Sequence, residues 1–169
     1  MSENFIDWNE NYATGIPLID IQNKTLVRKI NGLYSACSED TKAINQHFFQ
    51  ATHEAVDYVR FHFRIEENLM YMLEFSDRID HKKEHENFTK EILIFFDWFN
   101  QGEQLAPYHF VKFLKNWVQS HIAVSDKVFA DFFLEMKKYA QKELIQVRVP
   151  KELPASVKLS QKVEGALDG

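Results

Sequence analysis

Apolar residues recur every three or four positions along four stretches of the chain, the period of helices that bury one face. The first stretch, about 17–37, opens on Pro17, well suited to a first helical turn, and its inward seam runs Ile19, Asn23, Leu26, Ile30, Leu33, Cys37. The second, about 41–73, has the seam Phe48, Thr52, Ala55, Val59, His62, Glu66, Leu69, Leu73. The third, about 78–100, runs His81, His85, Phe88, Ile92, Phe95, Phe99 before the stop signal of Gly102. The fourth, about 107–144, gives Phe110, Leu114, Trp117, His121, Val124, Val128. No internal repeat is present, and the turns are short. The pattern therefore predicts an all-α fold, an up-down-up-down antiparallel four-helix bundle, as one unit over 1–145. An arm, 1–16, is expected to cover one end of it with Phe5, Trp8 and Tyr12. From 146 to 169 aromatics vanish and Pro150 and Pro154 appear, which suggests a C-terminal tail.

The seams carry polar residues where a helix bundle wants apolar ones. His62 and Glu66, and His81 and His85, stand four apart, so each pair stacks on one helix face and aims two donors at one point. A lone histidine on an apolar face is more often a hydrogen-bonded core residue than a ligand. Several imidazoles and carboxylates buried together are different, because each unpaired buried charge costs several kcal/mol. A shared metal removes that cost for all of them at once. Imidazole and carboxylate without thiolate suit iron, manganese or zinc. His121 and Asp126 are the awkward pair: five residues place them about 140° apart on a regular helix. A π-bulge between them would bring both to one face, and such bulges cluster at functional sites. His47, His53 and His109 fall off the seams and are expected at the surface or in caps. Lys82, Lys83, Glu84 and Glu86 look like a solvated face around the third pair.

Composition narrows the setting. The 169 residues suffice for one core without disulfides, and the single Cys37 forbids an internal one. The formal charge of −5, with basic residues dispersed among acids, leaves no stripe to neutralise phosphates, so nucleic acid is not an expected partner. The most apolar run, 92–99, is interrupted by Asp97 and too short to cross a bilayer. The opening MSENFIDWNENY has acids and amides where a secretory signal has a basic stretch and an apolar run. A cytoplasmic protein is expected.

The stretches IDWNENYATGIPLIDIQNK, FHFRIEENLM, DHKKEHENF and WVQSHIAVSDKVF, in that order, resemble the hemerythrins, and the chain looks like a bacterial member over residues 6–139. HFxxEE, HxxxH and HIxxxDK together make a specific signature. The resemblance implies two irons joined by an oxo or hydroxo bridge, with His81, His85 and His121 on the first and His62 on the second. Glu66 and Asp126 would bridge them. It also implies oxygen or another small diatomic or anionic ligand at the second iron, in a pocket walled by Trp117 and Ile122. The family's remaining histidine should follow the IDxQ stretch, and here Asn23 stands in its place. An amide oxygen is a weaker and shorter donor than imidazole, so Asn23 would offer at most a weak or water-mediated metal contact. The second position could then be partly occupied, or taken by manganese or zinc. Small-ligand binding is the leading expectation. A di-iron enzyme that reduces oxygen or peroxide is the alternative, and a metal- or redox-dependent sensor module is a third.

Overall fold

The structure, a computed structural model, describes residues 4–38 and 41–148. Pro17 begins the first helix, α1 (Pro17–Ala36), where its missing N–H has no intrahelical partner to lose. The turn before it folds onto Asp20: the Thr14 amide and hydroxyl both donate to Oδ1, at 2.7 and 2.8 Å, and the Gly15 amide donates to Oδ2. Gly15 sits at φ 76°, a left-handed backbone that glycine adopts without penalty.

The second rod is α2 (Thr41–Asp57), a π-helical turn (Tyr58–Phe63) and α3 (Arg64–Met72). The third is α4 (Arg78–Asn100), ending at Gly102 with φ 83°. The fourth is α5 (Ala106–Trp117), a π-helical segment (Val118–Ser125) and α6 (Asp126–Arg148). Helix α1 packs against α2 and α5, and α4 packs against the same two, which closes a four-rod bundle. Among the described residues there is no strand. No helix is long and apolar enough to cross a membrane. Of the described residues, those up to Phe133 form one compact unit and those from Leu134 a second; the site lies wholly in the first. The tail expected over 146–169 falls outside the described residues from 149 onward.

The two π segments change which residues face inward. A π turn holds one more residue than an α turn, so the seam beyond it slips by a position. In the second rod Tyr58, not Val59, is buried, and Met70 replaces Leu69 and Leu73 as the fully enclosed residue. In the fourth rod the expected seam fails after His121: Val124 and Val128 are 55% and 52% exposed, while Ile122, Asp126, Phe129 and Ala130 are buried.

One large apolar cluster fills most of the bundle, with Leu26, Ile30, Phe48, Phe88, Phe110 and Leu114 among its members. A smaller one joins Met70, Phe75 and Phe129. The arm belongs to the larger cluster, as Phe5, Trp8 and Tyr12 pack against it. Asn31 clamps the arm by accepting from the Ile6 amide and donating to the Ile6 carbonyl, both at 2.9 Å.

Candidate metal centre

Between these clusters lie His62, Glu66, His81, His85, His121 and Asp126, all buried. Glu66, His81, His85, His121 and Asp126 each offer one ligand atom, and these atoms lie within 4.8 Å of one another. His62 stands apart from that set yet meets both carboxylates, its Nε2 lying 3.3 Å from Glu66 Oε2 and 3.6 Å from Asp126 Oδ2. Asp126 turns its other oxygen, Oδ1, to His121 Nε2 at 2.9 Å and His81 Nε2 at 3.5 Å. Glu66 Oε2 also approaches His81 at 3.4 Å and His85 at 3.5 Å. The π segment Val118–Ser125 is what places Asp126 here, because it absorbs the extra residue after His121.

The outer edges of three histidines are held from neighbouring helices. His62 Nδ1 lies 3.2 Å from Gln22 Oε1, His85 Nδ1 lies 3.1 Å from Glu67 Oε1, and His121 Nδ1 meets Glu84 Oε2. Ser125 donates to that same Glu84 oxygen. Glu84 therefore is not the idle solvated residue its surroundings suggest. Gln22, Glu67 and Glu84 each sit one position away from a seam residue, and that adjacency is the signal that could have marked them. A carboxylate that accepts from Nδ1–H fixes the tautomer and leaves Nε2 with its lone pair inward. For His85 and His121 those two nitrogens lie only 3.1 Å apart.

This arrangement fits a cation. All four oxygens of Glu66 and Asp126 are buried without an aligned hydrogen bond, and so is His81 Nε2. Buried polar atoms are rarely left so, and a metal would satisfy them together. Without metal the carboxylates attract protons to the cluster instead. Burial opposes charge on His62, but Glu66 and Asp126 outweigh it and raise its pKa to about 9. The same contest raises His81 to about 9. His85 goes down, by burial first. Burial also opposes ionisation of Glu66 and Asp126, yet the facing histidines hold both below the usual carboxylate range.

Aromatic rings shut water out. Phe63 stacks on His85 at 3.7 Å and 2°, Trp117 on His121 at 3.8 Å and 19°, and Tyr58 on His62 at 4.1 Å and 19°. Ile122 is fully buried beside them. Asn23 is also fully buried. Its Oδ1 accepts from the Tyr58 hydroxyl at 2.8 Å, and its Nδ2 has no hydrogen-bond partner. His47, His53 and His109 stay outside the cluster; His47 is half-buried and the other two are exposed.

The family profile described as "Hemerythrin HHE cation binding domain" matches residues 14–133. The chain belongs to the hemerythrin family. It is 32% identical to the bacteriohemerythrin of Pseudomonas aeruginosa (strain UCBPP-PA14) over 124 residues, which cover 73% of this chain and 78% of that one. It is 29% identical to the bacteriohemerythrin of Stenotrophomonas maltophilia (strain R551-3), with the same coverage. A crystal structure of a hemerythrin point mutant superposes with a TM-score of 0.64 at 24% identity, covering 76% of this chain and 97% of that one. The bundle is thus the hemerythrin fold, with Tyr58 and Asn23 joined at the edge of its polar cluster.

Two results are expected from this geometry. Glu84→Ala, which frees the His121 ring, should weaken metal binding by roughly 10- to 100-fold, the usual cost of losing such an outer partner; Glu84→Gln keeps an acceptor and should cost less. Competition with a chromophoric chelator measures both. The second concerns the chelated protein. His62 and His81, raised from 6.5 to about 9, add stability that is complete below pH 6.5 and is lost as the pH climbs through 9. The lowered His85 costs stability below 6.5. Melting temperature without metal should therefore peak near pH 6.5 and fall towards 9, while metal-loaded protein, whose ligands are deprotonated, should lack that fall. A chelated protein with a flat profile from 6.5 to 9 would contradict the assignment.

Proposed function

We propose that this hemerythrin family member is a cytoplasmic, non-heme di-iron protein that binds oxygen, or a related small ligand such as nitric oxide or peroxide, at a site altered by Asn23. His81, His85 and His121 would hold one iron and His62 the other, with Glu66 and Asp126 between them. The single observation that carries this is the pair of buried carboxylates without aligned hydrogen bonds, one of which turns Oδ1 to His81 and His121 and Oδ2 to His62. When bound, the irons supply a redox-active centre for a small ligand. The chain supplies the rest. Gln22, Glu67 and Glu84 set the ring orientations, and the buried Phe63, Trp117 and Ile122 would keep water from the centre.

Metal analysis of protein made in iron-replete cells, with its near-ultraviolet spectrum, tests the proposal. Iron at more than one per chain with oxo-bridge absorption supports it, and an iron-free protein under those conditions refutes it. A second reading, a di-iron enzyme that reduces oxygen or peroxide, is favoured by one feature: Asn23 commits its oxygen to Tyr58, so no imidazole fills that position and an exogenous ligand has more room. Sustained consumption of peroxide by the ferrous protein with a reductant present would select the enzyme; a single stoichiometric reaction would select the binding protein.

A further inference from the structure

Of the six tyrosines in the chain, Tyr58 alone is buried. The π turn that begins at Tyr58 brings it onto the seam, and its ring is locked flat against the His62 imidazole. Its hydroxyl oxygen lies 2.9 Å from His62 Nε2. That nitrogen is the atom His62 presents to Glu66 and Asp126, so the phenol oxygen lies beside the histidine nitrogen that faces the carboxylates. Asn23 lies on the other side of the hydroxyl and accepts its proton at 2.8 Å. The amide oxygen is thereby occupied, and what Asn23 leaves unpartnered is Nδ2, a donor that cannot ligate a cation.

We propose that the phenol oxygen of Tyr58, not the amide of Asn23, is the protein donor that completes the second metal position beside His62, with Asn23 as the positioning residue that holds it there. This rests on the di-iron reading above and adds to it a tyrosine ligand. A ferric ion takes the place of the phenol proton, and that proton leaves to solvent, one for each second iron bound. Burial first, and then Asp126 and Glu66, oppose a phenolate here, and the charge of a cation bound between the carboxylates works against that opposition. A phenol needs an acceptor and a phenolate needs a donor; Asn23 carries one of each, and its unpartnered Nδ2 serves the second state after rotation of the amide. Histidine at position 23 would serve only as a competitor for the metal. An anionic oxygen in place of a neutral imidazole also favours ferric over ferrous iron, which opposes reversible carriage of oxygen.

The test uses the full-length protein loaded with ferric iron, in unlabelled form and with ring-deuterated tyrosine. The expected result is a phenolate-to-iron charge-transfer band in the visible, with resonance-enhanced ring vibrations that shift on deuteration. Tyr58→Phe should abolish the band and release one of the two irons, leaving iron at the three-histidine position. Asn23→Ala should keep a band but move its position. Iron-replete native protein with near-ultraviolet oxo-bridge absorption and no tyrosine-derived visible band overturns the tyrosine ligand and spares the di-iron reading. A band that survives Tyr58→Phe also overturns it. Native protein that takes up no iron overturns both. Deuteration of the native chain decides the matter even if the Tyr58→Phe variant does not fold.

Discussion

Replacing His85 with alanine is expected to remove the metal-dependent part of the protein's stability and most of its iron. His85 meets Glu66, His121 and Glu67 through its two ring nitrogens, and Phe63 stacks on its face. A ligand that binds only the folded state stabilises it by roughly 2.7 kcal/mol when present at a hundred times its dissociation constant. For a domain of this size that corresponds to roughly 10 °C in melting temperature. The variant also leaves a small cavity, which lowers stability with or without iron. Calorimetry of native and His85→Ala protein, each with iron and with chelator, separates the two effects. The iron-dependent increment should be large in the native protein and nearly absent in the variant. Equal increments in both would mean that His85 holds no metal.

Asn23→His is the second change with a large expected effect. It adds a neutral imidazole donor at the position where the resemblance to the hemerythrins leads one to expect a histidine, and it removes the acceptor that holds the Tyr58 hydroxyl. The variant should resist chelation better than the native protein, and its ferrous form should be oxidised by oxygen more slowly, by about tenfold, which is 1.4 kcal/mol in the barrier. Paired stopped-flow traces, mixing each ferrous protein with oxygen, measure the difference. Indistinguishable traces would show that Asn23 has no influence on the site.

The periodic seams made the bundle legible, because His62, Glu66, His81 and His85 occupy regular helical positions among apolar neighbours. Asp126 was legible only by contradiction: its five-residue step from His121 cannot share a face on a regular helix, and the structure resolves the conflict with a π segment over Val118–Ser125. The consequence further along was harder to see. Once the register slips, Val124 and Val128 turn outward, although both continue the apolar period that the chain suggests. The π turn over Tyr58–Phe63 had no such contradiction to announce it, since His62 and Glu66 stack in either case, and so Val59 stood in for Tyr58. The outer acceptors Gln22, Glu67 and Glu84 were hidden for another reason. A charged or amide residue beside a seam looks like any solvated flank until the neighbouring helix brings a histidine to it.

The stacking of Trp117 on His121 at 3.8 Å also gives the protein its own optical gauge. Trp8 and Trp98 are the other two indoles in the chain; Trp8 is half-buried in the arm and Trp98 is exposed on α4. Trp117 alone combines burial with direct ring contact to a histidine of the cluster. Iron held beside that histidine would quench the neighbouring indole, so the blue-shifted part of the emission would follow loading of the centre, with the red-shifted part from Trp98 as an internal standard. Metal uptake and release by the proposed centre would then be followed in real time on unlabelled protein, by fluorescence alone.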